Sequence, residues 1–446
     1  MGNIFFYLTL IVSTLGTTID SFAENIDMHL DNCIDLALEN NPQLDVAAQQ
    51  YFQAAGIVQQ AESGYLPRLS VGASMARLHI EDLKPVDEDN VLKGGLSASQ
   101  LLYDFGRTTG GVKSTVFSRR AAQSNLEQKV HDVVLLVKEA YYSGLEKKAL
   151  VQVARQTVDN YEKQLYRAKK FYKAGIRTQI DTTNAELELA NAKLNLLRSK
   201  SNLQSARVEL EQVIGTQPNN GAYRLVSTYT TISKIVDTAP PLNYSLTELL
   251  EVAPNNRPGM EQLNQLFFAS QASLKKAEGD NWPILSAQGS YDTYETDLQT
   301  LNDQWQLTAL LTWEIFSGFE TEGKIAETKA LMMEIAASKH ELELAIKQDV
   351  TDSHLRAEEN HEALDIAALA VDLAIRNLEL ADGRYKAGLG DMLEFNDAQL
   401  NYSSSQSDLI STYFAYLTAI ARMERAAGIN PGVPQDTVQD MLEPRP

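Results

Sequence analysis

The segment nearest to a chemical signature in this 446-residue chain is Gly318-Phe319-Glu320-Thr321-Glu322-Gly323-Lys324, a GxxxxGK run. Such a run cradles phosphate on backbone N–H groups when a Ser or Thr follows to hold Mg2+. Here Ile325 follows, and Glu320 and Glu322 would repel a phosphate. Nucleotide binding is not expected. The six histidines, at 29, 79, 131, 340, 354 and 361, show no HExxH or paired-ligand spacing. The single cysteine, Cys33, can form neither an internal disulfide nor a cysteine-built metal site, and reads as a small packing residue. No nucleophile–base arrangement stands out, so no catalytic residue, cofactor or metal is predicted. What remains is charge. Asp and Glu number 59 against 39 Lys and Arg, a net −20 at pH 7 with a pI near 4.8. That balance argues against nucleic acid, which needs cations to neutralise its phosphates.

The elements that must carry these residues are set by proline. The 13 prolines leave two tracts free of them, 86–217 and 284–430, which are 132 and 147 residues long. Interior proline breaks helices, so tracts of this length predict very long uninterrupted elements. The tracts also resemble each other. Phe171-Tyr172-Lys173-Ala174-Gly175 answers Arg384-Tyr385-Lys386-Ala387-Gly388 at an offset of 213, and Gly215 answers Gly428 at the same offset. Gly106 pairs with Gly318 at 212, and Pro67 with Pro283 and Asn41-Pro42 with Arg257-Pro258 at 216. Landmarks in one order at nearly constant offset mark a tandem duplication. Each unit reads as an opening helix (30–63, then 245–280, with Asp31 and Ser245 as N-caps) and two alternating strands. A helix of about 60 residues follows, then a tight Ala-Gly turn and a return helix of about 35 residues. Val130, Val133, Val134, Val137, Ala140 and Tyr141, and again Ile366, Leu369, Leu373 and Leu380, fall at three- and four-residue steps, as in coiled coils.

The strands bear on the membrane. Mean hydropathy is −0.26 and no stretch past the N-terminus approaches 18 apolar residues, which excludes an α-helical membrane protein but not a β-barrel. In Gln304–Glu314 the residues Trp305, Leu307, Ala309, Leu311 and Trp313 share one face. Gln304, Gln306, Thr308 and Thr312 occupy the other, with Leu310 as the exception. Eight residues at ~3.3 Å rise and ~40° tilt cover roughly 20 Å, close to the apolar band between the aromatic girdles of a barrel. Trp305 and Trp313 are therefore the expected girdle. Four strands cannot close a barrel, and open edges are forbidden in lipid, so oligomerisation is required; three chains would supply twelve strands. A soluble sandwich with a two-Trp core is the competing reading of the strands alone. Ile4–Val12 followed by Ser21-Phe22-Ala23 reads as a signal peptide cleaved after Ala23, and Glu24 in place of cysteine does not indicate a lipoprotein.

Together these residues resemble the TolC-like outer-membrane efflux protein family over nearly the whole mature chain. The resemblance is carried by Ala37-Leu38-Glu39-Asn40-Asn41-Pro42-Gln43-Leu44, Tyr65-Leu66-Pro67-Arg68-Leu69, Leu102-Tyr103-Asp104-Phe105-Gly106-Arg107, the two Tyr-Lys-Ala-Gly turns and the repeat. It implies a mixed α/β membrane protein, a homotrimer whose long α-helical, coiled-coil barrel continues a transmembrane β-barrel with four strands per chain. It implies outer-membrane lipid around the sheet, a long periplasmic portion, and docking to a periplasmic adaptor and an inner-membrane transporter, ABC or proton-driven. The activity implied is export of drugs, small toxic compounds, metals or secreted proteins. The organisation expected is a signal peptide 1–23, a first repeat 24–240, a second repeat 241–430 and a tail 431–446. Within the first repeat the strands lie at about 66–103, the long helix at about 108–172 and the return helix at about 178–214. In the second they lie at about 283–315, 320–386 and 391–427.

The resemblance also implies roles at the turns. Asp181 and Tyr385 match a bonded pair that keeps the periplasmic end closed, and Glu394 and Asp397 match acidic rings at the entrance. Gly175-Ile176-Arg177 and Gly388-Leu389-Gly390 occupy the turns that adaptor tips contact. The chain departs from the family in one respect. The family's arginine two positions past the second turn glycine is Gly390 here, and its partner threonine is Ile180, so that lock bond is missing or replaced through Arg177. The alternative to a channel is a soluble periplasmic coiled-coil scaffold; an enzyme is disfavoured by the absent site chemistry.

Overall fold

The computed structural model describes residues 26–78, 89–218, 221–227, 234–295, 301–429 and 437–442. Residues 1–23, expected as a signal peptide, the loops joining paired strands and most of the tail lie outside the described residues. The first repeat runs β1 (Ile26–Met28), α1 (Leu30–Asn40), α2 (Pro42–Glu62), β2 (Arg68–Leu78), β3 (Asp89–Tyr103), α3 (Arg107–Lys173), α4 (Gln179–Ile214) and β4 (Tyr223–Leu225). The second runs α5 (Leu246–Asn256), α6 (Pro258–Gly279), β5 (Ile284–Glu295), β6 (Leu301–Thr312), α7 (Glu320–Lys386) and α8 (Met392–Ala426). A short α9 (Thr437–Met441) follows, and Met441 packs into the main core.

Two sequence expectations change. Each opening helix is two helices, because the residue before a proline is driven out of the α region. Asn41 sits at φ −71°, ψ 121° and Arg257 at φ −77°, ψ 117°, each both ending one helix and starting the next. Asp31 is not the N-cap of α1; His29 is, and Asp31 lies in the first turn, where its charge suits the positive end of the helix dipole. Ser245 does cap α5, in a reciprocal box with Glu248. Both long helices have 67 residues, about 100 Å at 1.5 Å per residue.

The duplication is written into the backbone. Gly106 and Gly318, Gly175 and Gly388, and Gly215 and Gly428 all adopt left-handed φ, between 67° and 94°. Each return helix then ends against the Pro break of its own repeat. The Asn41 side chain donates to the Val213 carbonyl at 2.7 Å, and Arg257 donates to the Ala426 carbonyl at 3.2 Å. Val213 and Ala426 are 213 apart, so two different side chains satisfy the same orphan carbonyl. A Cβ on Gly215 would meet Asn40 O at 2.3 Å, and one on Gly428 would meet Asn256 O at 2.7 Å.

The main core joins α1, α3, α4 and α8 around Leu126, Val130, Val133, Val134, Val137, Leu210, Tyr413 and Tyr416. Cys33 is fully buried in it, and burial pushes its thiol up to about 12. A short parallel pairing of β1 with β4, absent from the sequence reading, is held to α3 by Tyr141, whose hydroxyl donates to Val226 O at 2.6 Å. A second core lies between α5, α7 and α8, around Leu249, Ile346, Val350, Ala357 and Met423.

Candidate functional site at the sheet and the paired helix turns

The four strands form one antiparallel sheet in the order β2-β3-β5-β6, so the hairpin of one repeat pairs with the hairpin of the other. Partners across an antiparallel ladder share a face, which fixes the two surfaces. One surface carries the rows Val71-Leu96-Tyr291-Trp305 and Leu69-Ala98-Gly289-Leu307. The other carries Ser70-Ser97-Ser290-Gln306 and Arg68-Ser99-Gln288-Thr308, with Ser70 and Ser97 hydroxyls 2.7 Å apart. The apolar surface is bare: Leu69 is 80% exposed, Val71 81%, Trp305 78% and Leu307 76%. Trp313 lies one residue beyond β6, is itself exposed, and donates its indole N–H to Asn281 O at 3.0 Å. In the single chain β2 and β6 are edge strands. A sandwich would have buried these tryptophans.

Below the sheet, Asp104 accepts from the N–H groups of Gly106 (3.2 Å) and Thr108 (2.6 Å), anchoring the first turn of α3. Arg107 bonds Asp280 at 2.8 Å. Lys324, the lysine of the phosphate-loop lookalike, pairs with Glu320 at 2.7 Å and approaches Asp280 at 3.8 Å.

At the far end, α3–α4 and α7–α8 turn over side by side. Ile176 N donates to Phe171 O at 3.0 Å and Leu389 N to Arg384 O at 2.9 Å, the same wide closing bond in both repeats. Tyr385 lies at the centre, fully buried among Ala168, Ala185 and Met392, with Phe171 against its ring. Burial, then the Asp181 carboxylate, push its phenol up against the opposing pull of Arg177 and Arg167. The Tyr385 hydroxyl has no hydrogen-bond partner among the described residues. Asp181 instead accepts from the Thr178 N–H at 3.4 Å, at the head of α4. The pair named by sequence is adjacent, but its bond is not formed within one chain.

Arg177 does bridge the turns. Its guanidinium lies over the Tyr385 ring, 5.1 Å from the centroid, and donates to Gly390 O at 2.6 Å. A side chain at Gly390 would displace the Glu394 carboxylate, since a Cβ would come within 2.8 Å of Glu394 Oε2 and 3.1 Å of Arg384 Cβ. Arg384 pairs with Glu394 at 2.8 Å. Asp397, one turn further along α8, is exposed and forms no ion pair among the described residues. Above the turn, Arg167 and Lys386 both engage Asp382; burial raises its pKa, and these two bonds outweigh that and hold it below the usual carboxylate value. Sequence reasoning missed Arg384 and Asp382. Glu394, the partner of Arg384, and Arg167, one partner of Asp382, lie on other helices, which spacing along the chain does not reveal; Lys386 alone is an i,i+4 neighbour of Asp382.

The outer membrane efflux protein family model matches residues 33–216 and 249–429, one match to each repeat. The chain is 22% identical over 424 residues to the probable efflux pump outer membrane protein TtgC of Pseudomonas putida, covering 90% of this chain and 83% of that one. It is 23% identical over 428 residues to the alkaline protease secretion protein AprF of Pseudomonas aeruginosa, covering 88% and 83%. Its fold is similar to the outer membrane protein VceC of Vibrio cholerae, with a TM-score of 0.77 at 18% identity over 90% of this chain and 96% of that one. A matched family model, long helices and a two-faced sheet agree: the chain belongs to the outer membrane efflux protein family, whose members are transport channels and not enzymes.

Proposed function

We propose that three copies of this chain close into an outer-membrane export channel, a twelve-stranded barrel continued by a helical tunnel. The observation that carries this is the sheet with one exposed apolar face, one polar face and two edge strands. Bare edges in lipid cost several kcal/mol per unsatisfied group, and pairing β6 of one copy with β2 of the next removes them. The polar face then lines the bore. Cargo is small toxic compounds or a secreted protein, as the names of relatives, a toluene efflux pump outer membrane protein and an alkaline protease secretion protein, suggest. A periplasmic adaptor docks on the Gly175-Ile176-Arg177 and Gly388-Leu389-Gly390 turns, with an inner-membrane transporter behind it.

The entrance is held shut by the contacts around Tyr385. Arg177 stands in for the arginine that Gly390 replaces, tying one turn to the other, and Asp181 is poised beside the unpartnered Tyr385 hydroxyl. Glu394 and Asp397, three of each in the trimer, ring the constriction and favour cations. The test is conductance in planar bilayers together with a detergent-stable trimer; absence of both removes the proposal. Arg177→Ala combined with Tyr385→Phe is expected to raise conductance and antibiotic leakage, and unchanged values would unseat the lock. Glu394→Ala with Asp397→Ala is expected to weaken cation selectivity and block by trivalent cations.

A further inference from the structure

The junction of sheet and helices carries a groove of about 650 Å3 between α3 and α6 that the channel reading does not use. Its orientation follows from strand register. Tyr103 pairs with Leu285 and Leu285 with Leu311, which places Tyr103 on the apolar face. The Tyr103 ring meets Phe105 edge-on at 4.7 Å, and Phe105 stacks on Trp282 at 5.2 Å and 18°. Phe105 and Trp282 are exposed and form the upper rim of the groove, so it opens on the same side as the bare apolar sheet. Its floor is narrow because Gly110 lets α3 approach α6 closely: a Cβ there would meet Lys276 N at 2.8 Å and Ala272 O at 2.9 Å. Phe117 and Phe268 line the lower part, 5.6 Å apart.

Three exposed cations line this aromatic cleft: Lys113, Arg120 and Lys275, with Glu278 as the one carboxylate. Among the described residues none of the three forms an ion pair, and Arg120 lies 5.5 Å over the Phe117 ring. In a chain where acids outnumber bases 59 to 39, this is a local reversal of sign. The fold does not demand it. At the repeat offsets of 212 and 216, Lys113, Arg120 and Lys275 correspond to Ile325, Met332 and Gln59. Lys113 and Lys275 each lie seven residues, roughly 10 Å, below the rim residues Gly106 and Trp282. Arg120 lies two turns further down α3, so the cations occupy the deeper part of the groove and the aromatic rim lies between them and the sheet.

We infer that this groove binds an anionic phospholipid of the periplasmic leaflet, its phosphate among Lys113, Arg120 and Lys275 and an acyl chain running past Phe105 and Trp282 onto the sheet. The inference rests on the sheet being the membrane-spanning part. Each cation near an anionic lipid is worth roughly fivefold in occupancy. The test uses the full trimer in phosphatidylcholine nanodiscs doped with phosphatidylglycerol brominated on its acyl chains, or with equally brominated phosphatidylcholine. The chain has three tryptophans, so Trp305→Phe with Trp313→Phe leaves Trp282 as sole reporter, and Trp282→Phe with Trp313→Phe leaves Trp305. Brominated phosphatidylglycerol is expected to quench Trp282 several-fold more than brominated phosphatidylcholine. That excess is expected to vanish in Lys113→Gln, Arg120→Gln, Lys275→Gln, while Trp305 is quenched equally by both lipids. Equal quenching of Trp282 by the two lipids, or an excess that survives the triple substitution, overturns the site. Loss of the excess on adding inorganic phosphate reassigns the groove to a free anion and overturns the lipid. Quenching of Trp305 without Trp282 removes only this site; quenching of neither removes the membrane reading as well.

Discussion

The helices α3 and α7 occupy equivalent places in the two repeats and have the same 67 residues, yet they live differently. Twenty-two positions of α3 are buried, against nine of α7. α3 is packed on α2, α4, α6 and α8, whereas α7 has α8 along its lower part and α5 and α6 above. The coiled-coil stripe of α3 therefore disappears into the core, with Val133 and Val137 at 0% exposure, while Ile366, Leu369, Leu373 and Leu380 of α7 stand 55–70% exposed. Duplication copied the length and the period of the helix but not its neighbours. An apolar stripe of that extent is where another copy is expected to sit.

The comparison is broken first by charging the buried stripe. Val137→Asp places an unpaired carboxylate in a fully buried site, at a cost of several kcal/mol, and is expected to leave no folded chain by circular dichroism. Recovery of a normally folded chain would mean the α3 core is looser than its burial indicates. Leu369→Asp with Leu373→Asp is expected to spare the helical signal and abolish the trimer in size-exclusion chromatography. A trimer that persists would show that the α7 stripe faces no partner. Next come the two repeat-ending glycines. Gly215→Ala and Gly428→Ala each combine a left-handed backbone with a Cβ clash, worth about 2–3 kcal/mol, and both are expected to lower the thermal midpoint. An unchanged midpoint for either would mean that the seat against the Pro break is not rigid.

The smallest effect is titration at the paired helix turns. Asp382 is held below the usual carboxylate value in the fold, so its bonds to Arg167 and Lys386 contribute fully above the unfolded value of 3.8 and are lost only as pH falls through the lower folded one. Closed-state conductance is accordingly expected to match at pH 7 and about pH 5, and Asp382→Asn to raise it at both. A rise on going to pH 5 in the unsubstituted protein would place the sensitive group elsewhere.

The features legible in the sequence were those with a local signal. Proline spacing marked the long tracts, left-handed glycines marked the turns, and period-two alternation marked Trp305, Leu307 and Leu311 as one surface. What the sequence concealed was pairing at a distance. Asn41 and Arg257 answer each other in the repeat, but that each donates to the end of its own return helix appears only in space. The same holds for Phe105 stacking on Trp282 and for β1 beside β4, whereas Arg177, which reaches Gly390 213 residues away, was already a candidate from the missing arginine. The helix breaks at Pro42 and Pro258 were visible as letters but were outweighed by helical pattern on both sides of them.

The seam between β3 and β5 has a consequence for the order in which this molecule can assemble. Leu96 and Tyr291 are partners across it and stand 195 residues apart, whereas each helical hairpin closes through a turn of a few residues. Local pairings form in microseconds to milliseconds and distant strand pairings lag far behind, because a long loop must be closed before any contact rewards it. The helices are thus in place before the apolar surface of the sheet exists as a surface. An emerging chain exposes only one two-stranded, half-polar hairpin until its second repeat has arrived. A chain that must cross one membrane and stop in another gains from that delay.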